Sequence, residues 1–351
     1  MAFSVYISES QNPFVNLAAE QWLFAHLEPP ERILFLCVNE VSVVIGRHQN
    51  PWVECNVPAL RAEGIPLVRR QSGGGTVYHD HGNLNYTFLA GNEDYDQEGQ
   101  FGVVIDALGD LGITAERSGR NDLLTQGKKV SGSAFKYKRD RSFHHGTLLL
   151  EADTERLHGL LHAAPRDIES KGIASVRSPV LNLRDLLPAL REEELRDALI
   201  RRAADYFGEK PQVLRLSSTE LAETEEVAEE SRRLSSWDWV YGRTPDFDEA
   251  FHFAVPRQAG SRGETELIEG PVPASPSDRV DFAIHFTVHR GRVQSVSLES
   301  SADLMDLGEL EADLQRGVTG SAYDPEAFRR AAEPEATARA HAVLERIARW
   351  L

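Results

Sequence analysis

The feature that most restricts the fold of this 351-residue chain is a strand that runs into three consecutive glycines. Residues 65–70 have the apolar composition of a strand, and Gly73, Gly74 and Gly75 follow. Because glycine has no Cβ, such a segment lets backbone N–H groups approach an anion or a flat ring. Arg70 adds a fork of donors suited to phosphate or carboxylate. A flexible turn explains the glycines equally well, and the Gly-Lys-Ser/Thr ending of a Walker loop is absent.

A lysine pair forms the second signal. Lys128 and Lys129 precede Val130 and the small residues 131–134. A lysine in this context can place its ammonium across a buried pocket, as the counter-ion of a carboxylate, a phosphate or both. Taken alone, the pair is also explained as solvated turn residues.

Histidines cluster in two places, His79-Asp80-His81 and His144-His145. Zinc is disfavoured because no cysteine partner or His-x3-His pair accompanies them, and neutral histidines can line a pocket without a metal. A serine hydrolase built on Ser72 is also disfavoured, because the Gly-x-Ser-x-Gly elbow is absent and Arg70 and Gln71 stand before the serine.

Composition sets outer limits. With 41% hydrophobic and 26% charged residues, the chain suits a globular protein of two domains. It has no apolar run long enough for a membrane span and no recognisable signal sequence, so we expect a cytoplasmic protein that does not bind membranes. Cys37 and Cys55 are expected to be free thiols. A net charge of −17 argues against general nucleic-acid binding.

Hydrophobic periodicity predicts mixed strands and helices, hence an α+β (mixed α/β) fold. Residues 130–137 fit either a strand or a short helix. Helices are predicted over 14–23, capped by Asn12, and over 101–111, 192–207 and 218–233, with a last helix from about 324. Strands are predicted over 32–38, 41–47, 65–70, 85–91 and 145–152, with a hairpin over 281–298 and a loop over 270–277. The domain boundary is placed so that residues 1–247 form one domain and 248–351 the other.

Three blocks in this order and spacing resemble the lipoate-protein ligase family: RRQSGGGTVYHDHGNLNYTF, SGRNDLLTQGKKVSGSAF and FHHGTLLL. The resemblance runs from about Asn12 to Phe247 and continues more loosely to the C-terminus. It implies a catalytic domain related to the biotin-ligase fold, with a mixed sheet, over 1–247 and a small α/β accessory domain over 248–351.

The resemblance also implies the chemistry. ATP and Mg2+ would serve to activate lipoate as lipoyl-AMP, and the lipoyl group would pass to a lysine on a partner. The implied partners are lipoyl domains of 2-oxoacid dehydrogenase complexes and the glycine-cleavage carrier protein. We expect a monomer.

Site residues follow from matching positions. Lys129 matches the lysine that contacts the lipoyl carboxyl and the adenylate phosphate, and Arg70 and Ser72 match the anion-binding start of the glycine loop. Gly75, Thr76, Val77 and Tyr78 match the segment that holds adenosine, while Asn83 and Asp122 match polar groups near phosphate, with Asp122 as a metal ligand. The other residues assigned to ATP and lipoate binding are Gly73, Gly74, His79, Ser133, Ala134, His145, Gly146 and Thr147.

Alternatives remain at this point. A lipoyl or octanoyl transferase of the same fold would use a preformed acyl donor instead of ATP, and an adenylate-binding regulator would have lost catalysis. The basic stretch Lys136, Lys138, Arg139 and Arg141 is predicted either as a docking patch for the partner or as a solvated loop. The sequence does not rank lipoate against octanoate.

Overall fold

The computed structural model describes residues 3–119, 121–161, 166–176, 178–256, 279–300, 307–331 and 338–351. The chain forms two compact units. The first comprises Met1–Arg47, Gly64–Leu161 and Ala174–Val240, and the second comprises His48–Glu63, His162–Ile173 and Tyr241–Leu351. The second unit thus includes two segments that precede residue 247. The functional division into 1–247 and 248–351 stays a prediction.

Fifteen strands occur in the described residues. They are β1 (Phe3–Ser8), β2 (Arg32–Cys37), β3 (Ser42–Ile45), β4 (Leu67–Arg69), β5 (Val77–His79), β6 (Asn83–Gly91), β7 (Glu116–Arg117), β8 (Asp122–Thr125), β9 (Lys128–Tyr137), β10 (Arg141–Leu149), β11 (Asp167–Ser170), β12 (Gln212–Leu216), β13 (Phe247–Pro256), β14 (Arg279–His289) and β15 (Arg292–Ser300).

The first unit contains a large mixed sheet of order β12-β1-β2-β6-β10-β9-β8-β7 and a small sheet of order β4-β3-β5. Strands β12, β1 and β2 are parallel, and neighbouring strands from β2 to β7 are antiparallel. The second unit contains an antiparallel sheet of order β11-β13-β14-β15. The expected α+β class with a mixed sheet is therefore confirmed.

The helices of the described residues connect and cover these sheets. They are α1 (Pro13–His26), α2 (Pro51–Glu54), α3 (Val57–Ala62), α4 (Gln97–Asp110), α5 (Thr154–Leu160), α6 (Leu183–Leu186), α7 (Glu192–Phe207), α8 (Ser218–Glu223), α9 (Glu225–Ser235), α10 (Trp237–Val240), α11 (Leu307–Val318), α12 (Pro325–Ala331) and α13 (Ala338–Trp350).

Two cores hold the first unit together, one on each face of the large sheet. Helix α1 starts where Asn12 accepts hydrogen bonds from the N–H groups of Phe14 and Val15, at 2.9 and 3.3 Å, as its sequence predicts. Its apolar side packs on one face against Phe35 and Phe143. Helices α4 and α7 cover the other face.

Several elements differ from their predicted form. Residues 130–137, predicted as a strand or a helix, belong to strand β9. The predicted helix over 218–233 is divided into α8 and α9 at Thr224, whose extended backbone ends the first helix. Strand β12 was not predicted, and all five of its side chains are exposed or half-buried. The predicted loop over 270–277 lies outside the described residues.

The second unit has its own aromatic core. Phe286 lies 5.5 Å from Phe328 between ring centroids, and Phe251 stacks on Trp350 at 5.5 Å. Beside them, the buried Glu249 carboxylate accepts hydrogen bonds from Arg166 at 2.6 and 2.7 Å. Strands and helices of this unit therefore pack on each other through aromatic rings and a buried ion pair. None of the described helices has the length and apolar character needed to cross a membrane.

Candidate active site

Two rows of side chains form a floor on the face of the large sheet that carries α1. Asp122 lies opposite Gly132, Gly132 opposite Thr147, and Thr147 opposite Asn85. Side chains directly opposite each other in a sheet share a face, so these four form a row across strands β8, β9, β10 and β6. Ala134, His145 and Thr87 form the next row.

A β-bulge brings Lys129 onto this floor. Leu123 pairs with Ser131 but Leu124 pairs with Lys129, so Val130 is an extra residue in strand β9. Three positions along a regular strand would place Lys129 and Gly132 on opposite faces, and the extra residue restores them to the same face. A Cβ added to Gly132 would lie 2.7 Å from the Lys129 Nζ, so the ammonium lies directly over that glycine.

Asp122 is the ion-pair partner of Lys129. The distance from Lys129 Nζ to Asp122 Oδ1 is 2.9 Å, with the two side chains 23% and 13% exposed. The Lys129 backbone is also fixed on its other side, since its N–H donates to the Pro179 carbonyl at 2.8 Å and its carbonyl accepts from Leu181 at 2.9 Å. The ammonium is thus held at the floor, partly accessible, with a carboxylate as its counter-ion.

The glycine loop lies over the floor next to this pair. A Cβ added to Gly74, whose φ is +85°, would lie 3.3 Å from the Ala134 Cβ. A Cβ added to Gly46 would lie 2.2 Å from the Gly74 carbonyl oxygen. Glycine is therefore required at both positions, by backbone conformation at one and by close approach at the other.

Arg70 organises the loop from within. Its buried guanidinium donates to the Gly73 carbonyl at 2.6 Å, the Gly75 carbonyl at 2.7 Å and the Val44 carbonyl at 3.2 Å, and its Nε donates to Ser72 Oγ at 3.0 Å. Burial lowers the pKa of Arg70 to about 10, partly offset by the negative charge of Glu20. The fork of donors that the sequence suggested for an incoming anion is instead engaged by the loop's own carbonyls.

Ser72 belongs to a buried chain of hydrogen bonds. Its Oγ lies 2.8 Å from His145 Nε2, and His145 Nδ1 lies 2.8 Å from Glu20 Oε2, which also accepts from Thr87 at 2.8 Å. Burial would raise the pKa of Glu20, but the charge of His145 and the hydrogen bonds from His145 and Thr87 lower it overall. An ionised Glu20 can only accept, so His145 donates from Nδ1 to Glu20.

Residues 75–78, which the resemblance assigns to adenosine binding, lead from the glycine loop into strand β5. The Thr76 N–H donates to Ser175 Oγ at 2.9 Å, and a Cβ added to Gly75 would lie 3.2 Å from the same oxygen. Val77 is half-buried and Tyr78 is buried. Ser175 was not among the predicted site residues, although it lies in a segment whose sequence resembles the family.

The HDHGN segment forms a tight turn rather than a metal site. Asp80 Oδ1 accepts from the Gly82 N–H at 2.9 Å and from Asn83 Nδ2 at 3.1 Å, and Asp80 Oδ2 accepts from the Asp153 N–H at 2.8 Å. The Asn83 Oδ1 is buried and has no hydrogen-bond partner among the described residues. The described part of the chain also contains no cluster of three His, Cys, Asp or Glu side chains able to hold a metal ion.

Two predicted residues face away from the floor. Ser133 points to the opposite face of the sheet, where its Oγ lies 3.2 Å from the Tyr86 hydroxyl. Gly146 lies on that face too, and a Cβ there would lie 2.4 Å from the same hydroxyl. These two residues therefore pack against Tyr86 on the opposite face of the sheet and do not contact the floor.

Other residues position the site and were not predicted from the sequence. Glu20 is an acidic residue on the buried side of α1, which is the signal that could have revealed it. Trp239 donates from its indole N–H to the Arg69 carbonyl at 2.7 Å, and Arg69 donates to the Val240 carbonyl at 2.8 Å. The WDWV segment thus clamps the strand that carries the glycine loop.

Residues 12–204 match the family model described as the lipoyl protein ligase A/B catalytic domain. The chain belongs to this lipoyl protein ligase family. Among relatives of this lipoyl protein ligase, the lipoate-protein ligase A of Bdellovibrio bacteriovorus is 37% identical over 93% of this chain and 90% of the relative. The lipoate-protein ligase A of Psychrobacter cryohalolentis is 44% identical over 70% of this chain and 74% of the relative.

A solved structure supports the same fold for this lipoyl protein ligase. P. falciparum LipL1 in complex with lipoate superimposes with a TM-score of 0.62 and 25% identity over 99% of both chains. The predicted family, the fold class and the ligase class of enzyme are therefore confirmed.

Proposed function

We propose that this enzyme activates lipoate with ATP as lipoyl-AMP at the floor of the large sheet and then transfers the lipoyl group to a lysine of a lipoyl domain. The observation that carries the proposal is the position of Lys129, whose ammonium lies over Gly132 and is paired with Asp122 at 2.9 Å. Relatives that bear the name lipoate-protein ligase A, and a structural neighbour described as bound to lipoate, support the choice of acid.

Lys129 offsets the repulsion between the two anions that react in the first step. A carboxylate oxygen must attack the α-phosphate of ATP, and the two anions repel each other. An ammonium already held beside the floor by its ion pair with Asp122 offsets this repulsion. The carboxylate oxygen forms a bond to the α-phosphorus as the bond from that phosphorus to pyrophosphate breaks. The same ammonium stays beside the adenylate phosphate.

The glycine loop supplies oriented peptide groups. Arg70 draws the carbonyl oxygens of Gly73 and Gly75 toward itself. Because C=O and N–H of one peptide unit point in opposite directions, the N–H of Gly74 points away from Arg70. In this proposal Arg70 is a positioning residue, and the Gly74 N–H faces the nucleotide.

Asp122 fits magnesium only as part of a shared ligand set. Magnesium prefers six oxygen ligands and is often held by one or two carboxylates together with substrate phosphates. No three-residue metal cluster is present among the described residues, so Asp122 would contribute one oxygen and the triphosphate the others. When bound, the ion would neutralise phosphate charge, and Asp122 would exchange its bond to Lys129 for one to the metal.

The acyl chain fits the floor itself. Gly132 has no side chain, and Ala134 and Thr147 have short ones. All three lie on the floor where strands β9 and β10 pair. An extended aliphatic chain on this floor is covered by the glycine loop, which approaches Ala134 closely. Such a channel excludes water from the mixed anhydride, which would otherwise hydrolyse.

In the second step a neutral lysine amine of the partner attacks the acyl carbonyl and AMP leaves. Of the four basic residues predicted to dock the partner, Lys136 donates to Gln21 at 2.6 Å and Arg141 donates to the Phe24 and Ala25 carbonyls at 3.0 and 2.8 Å. Lys138 and Arg139 are exposed at the β9–β10 turn and remain as proposed docking charges.

The transferase alternative requires a reactive thiol when it proceeds through a thioester. Burial, with the charge of Glu20, raises the pKa of Cys37, so its thiol stays protonated. The test is incubation with ATP, Mg2+ and lipoate, followed by mass spectrometry for lipoyl-AMP. A parallel incubation with acylated carrier protein and lipoyl domain but no ATP separates the alternatives, because only a transferase labels the domain there.

A further inference from the structure

His79 carries a buried hydrogen-bonding atom without a partner. The residue lies on strand β5 and is 7% exposed. Its Nδ1 lies 2.9 Å from Asn39 Nδ2, whereas its Nε2 is buried and has no partner among the described residues. Buried polar atoms in native proteins are nearly always satisfied, so an orphan in a binding site points to a ligand atom.

A chain of side-chain hydrogen bonds sets which ring nitrogen carries the proton. Ser8 donates to Asn16 Oδ1 at 2.6 Å, and Asn16 Nδ2 donates to the Ser10 carbonyl at 2.9 Å and to Asn39 Oδ1 at 2.8 Å. Because the Asn39 oxygen is thereby occupied as an acceptor, its Nδ2 faces His79 and donates to Nδ1.

The proton of the neutral His79 ring is therefore on Nε2. Burial, with the nearby charges of Arg70 and His145, lowers the pKa of His79 to about 3, so the ring is neutral at physiological pH. Arg70 and His145 are both residues of the candidate site. The orphan Nε2–H is consequently a fixed, uncharged donor.

Strand pairing places this donor at the end of the floor remote from Lys129. Gly132 is opposite Thr147, Thr147 is opposite Asn85, and Asn85 is opposite Cys37. Three strand spacings separate Gly132 from Cys37, which is about 14 Å. Asn39, which holds His79, follows Cys37 by two residues. A ligand whose carboxyl contacts Lys129 would present the far end of its chain to His79.

We propose that the His79 Nε2–H donates a hydrogen bond to a dithiolane sulfur of the acyl substrate, and that this contact makes the enzyme prefer lipoate to octanoate. This inference rests on the proposed function. Apart from its carboxyl group, lipoate has two hydrogen-bond acceptors, the sulfurs of its ring. Octanoate has the same number of carbons but no acceptor other than its carboxyl group. A divalent sulfur is a weak acceptor, and a site that leaves its buried donor unpaired discriminates against the analogue that lacks the acceptor.

The test compares adenylation of lipoate and octanoate by the full-length protein, measured as pyrophosphate release. His79→Phe keeps a ring but removes the donor, and His79→Gln restores a donor. His81→Phe is the matched control, because His81 lies in the same segment and is exposed. We expect the lipoate-to-octanoate ratio of kcat/KM to fall about fivefold to tenfold in His79→Phe, to recover partly in His79→Gln, and to stay unchanged in His81→Phe.

The outcomes are separable. Wild-type protein that adenylates neither acid would refute the proposed function, whereas equal loss on both acids in His79→Phe would overturn only the role of His79. If His79→Phe does not fold, the wild-type protein still decides by 15N NMR of its histidines. The Nε2 of His79 should carry the proton in the free protein, and its resonance should shift with lipoate but not with octanoate; shifts of equal size with both acids would reject the sulfur contact.

Discussion

At the scale of single residues, most site positions were predictable but some roles were not. Lys129 and the glycines were identified from their order in the chain, because short motifs report the residue types that bind anions. The role of Arg70 was not predictable, since its partners are carbonyl groups of its own loop. Glu20 was missed because its partner His145 is 125 positions away, a separation that no local pattern encodes.

The first residue prediction concerns Lys129. We expect Lys129→Ala to lower the rate of lipoyl-AMP formation by about 100-fold to 1,000-fold, which is the usual effect of removing one preorganised electrostatic contact. The measurement is pyrophosphate release, with circular dichroism melting to show that the fold persists. Lys128→Ala is the control, because Lys128 is exposed next to it on the same strand. Near-normal release by Lys129→Ala would remove the basis of the mechanism.

His144 is a second residue with a prediction of its own. It is fully buried among Phe101 and Phe135, both at 4.7 Å between ring centroids, and neither ring nitrogen has a partner among the described residues. An unsatisfied buried polar group costs about 1 to 3 kcal/mol. We expect His144→Phe to raise the free energy of unfolding by about 1 to 2 kcal/mol at pH 7 without changing adenylation. Urea denaturation measures this, and a destabilised variant would contradict it.

The same residue gives a pH dependence. Burial, with the charges of His145 and Arg117, lowers the pKa of His144 well below its usual value of about 6.5. The unfolded chain then binds a proton that the native state does not, so stability is retained above about pH 6.5 and lost as the pH falls. The stability gap between His144→Phe and wild type should widen by about 1.4 kcal/mol for each pH unit below 6.5. A gap independent of pH would mean that the buried ring binds its proton as readily in the native protein as in the unfolded chain.

At the scale of elements, the strands and helices with strong periodicity were predicted, and the register between them was not. The bulge at Val130 decides whether Lys129 faces Asp122, yet nothing in the local sequence marks an extra residue there. Strand β12 was missed because its side chains are largely exposed, so it lacks the apolar pattern by which strands are recognised.

Gly132 on strand β9 and Gly82 in the turn before β6 should respond differently to substitution by alanine. In Gly132→Ala the new methyl group meets the end of the flexible Lys129 side chain, at 2.7 Å from Nζ, so the lysine swings away and the fold persists. In Gly82→Ala it meets the Glu151 backbone at 2.1 Å, which cannot move as cheaply. We expect the first change to lower adenylation at least tenfold with less than about 1 kcal/mol lost, and the second to cost more than about 2 kcal/mol.

Parallel urea melts and adenylation assays of the two variants test this contrast. A Gly132→Ala protein of normal activity would show that Lys129 need not lie over the floor. A Gly82→Ala protein of normal stability would show that the turn after β5 is more adaptable than its contacts indicate.

At the scale of the whole molecule, two domains were expected from length, and two compact units are present. Their composition was not predictable, because residues 48–63 and 162–173 join the second unit through contacts with distant strands. One such contact pairs β11 with β13 over positions 167–170 and 247–250. Local composition cannot report which of two cores a short segment will enter.

This division leads to a calorimetric prediction. Every residue placed in the candidate site, from Glu20 to Ser175, belongs to the first unit. Ligands that bind only the native state stabilise by about 2.7 kcal/mol at 100 times their dissociation constant. In a unit of this size that raises the melting temperature by roughly 2 to 4 °C per kcal/mol. ATP with lipoate should therefore shift a transition of the first unit and leave that of the second in place. Lys129→Ala should lack the shift, because the lost ammonium is the counter-ion of both ligands, whereas Lys128→Ala should retain it. A shift of both transitions by the same amount would show that the two units unfold as one.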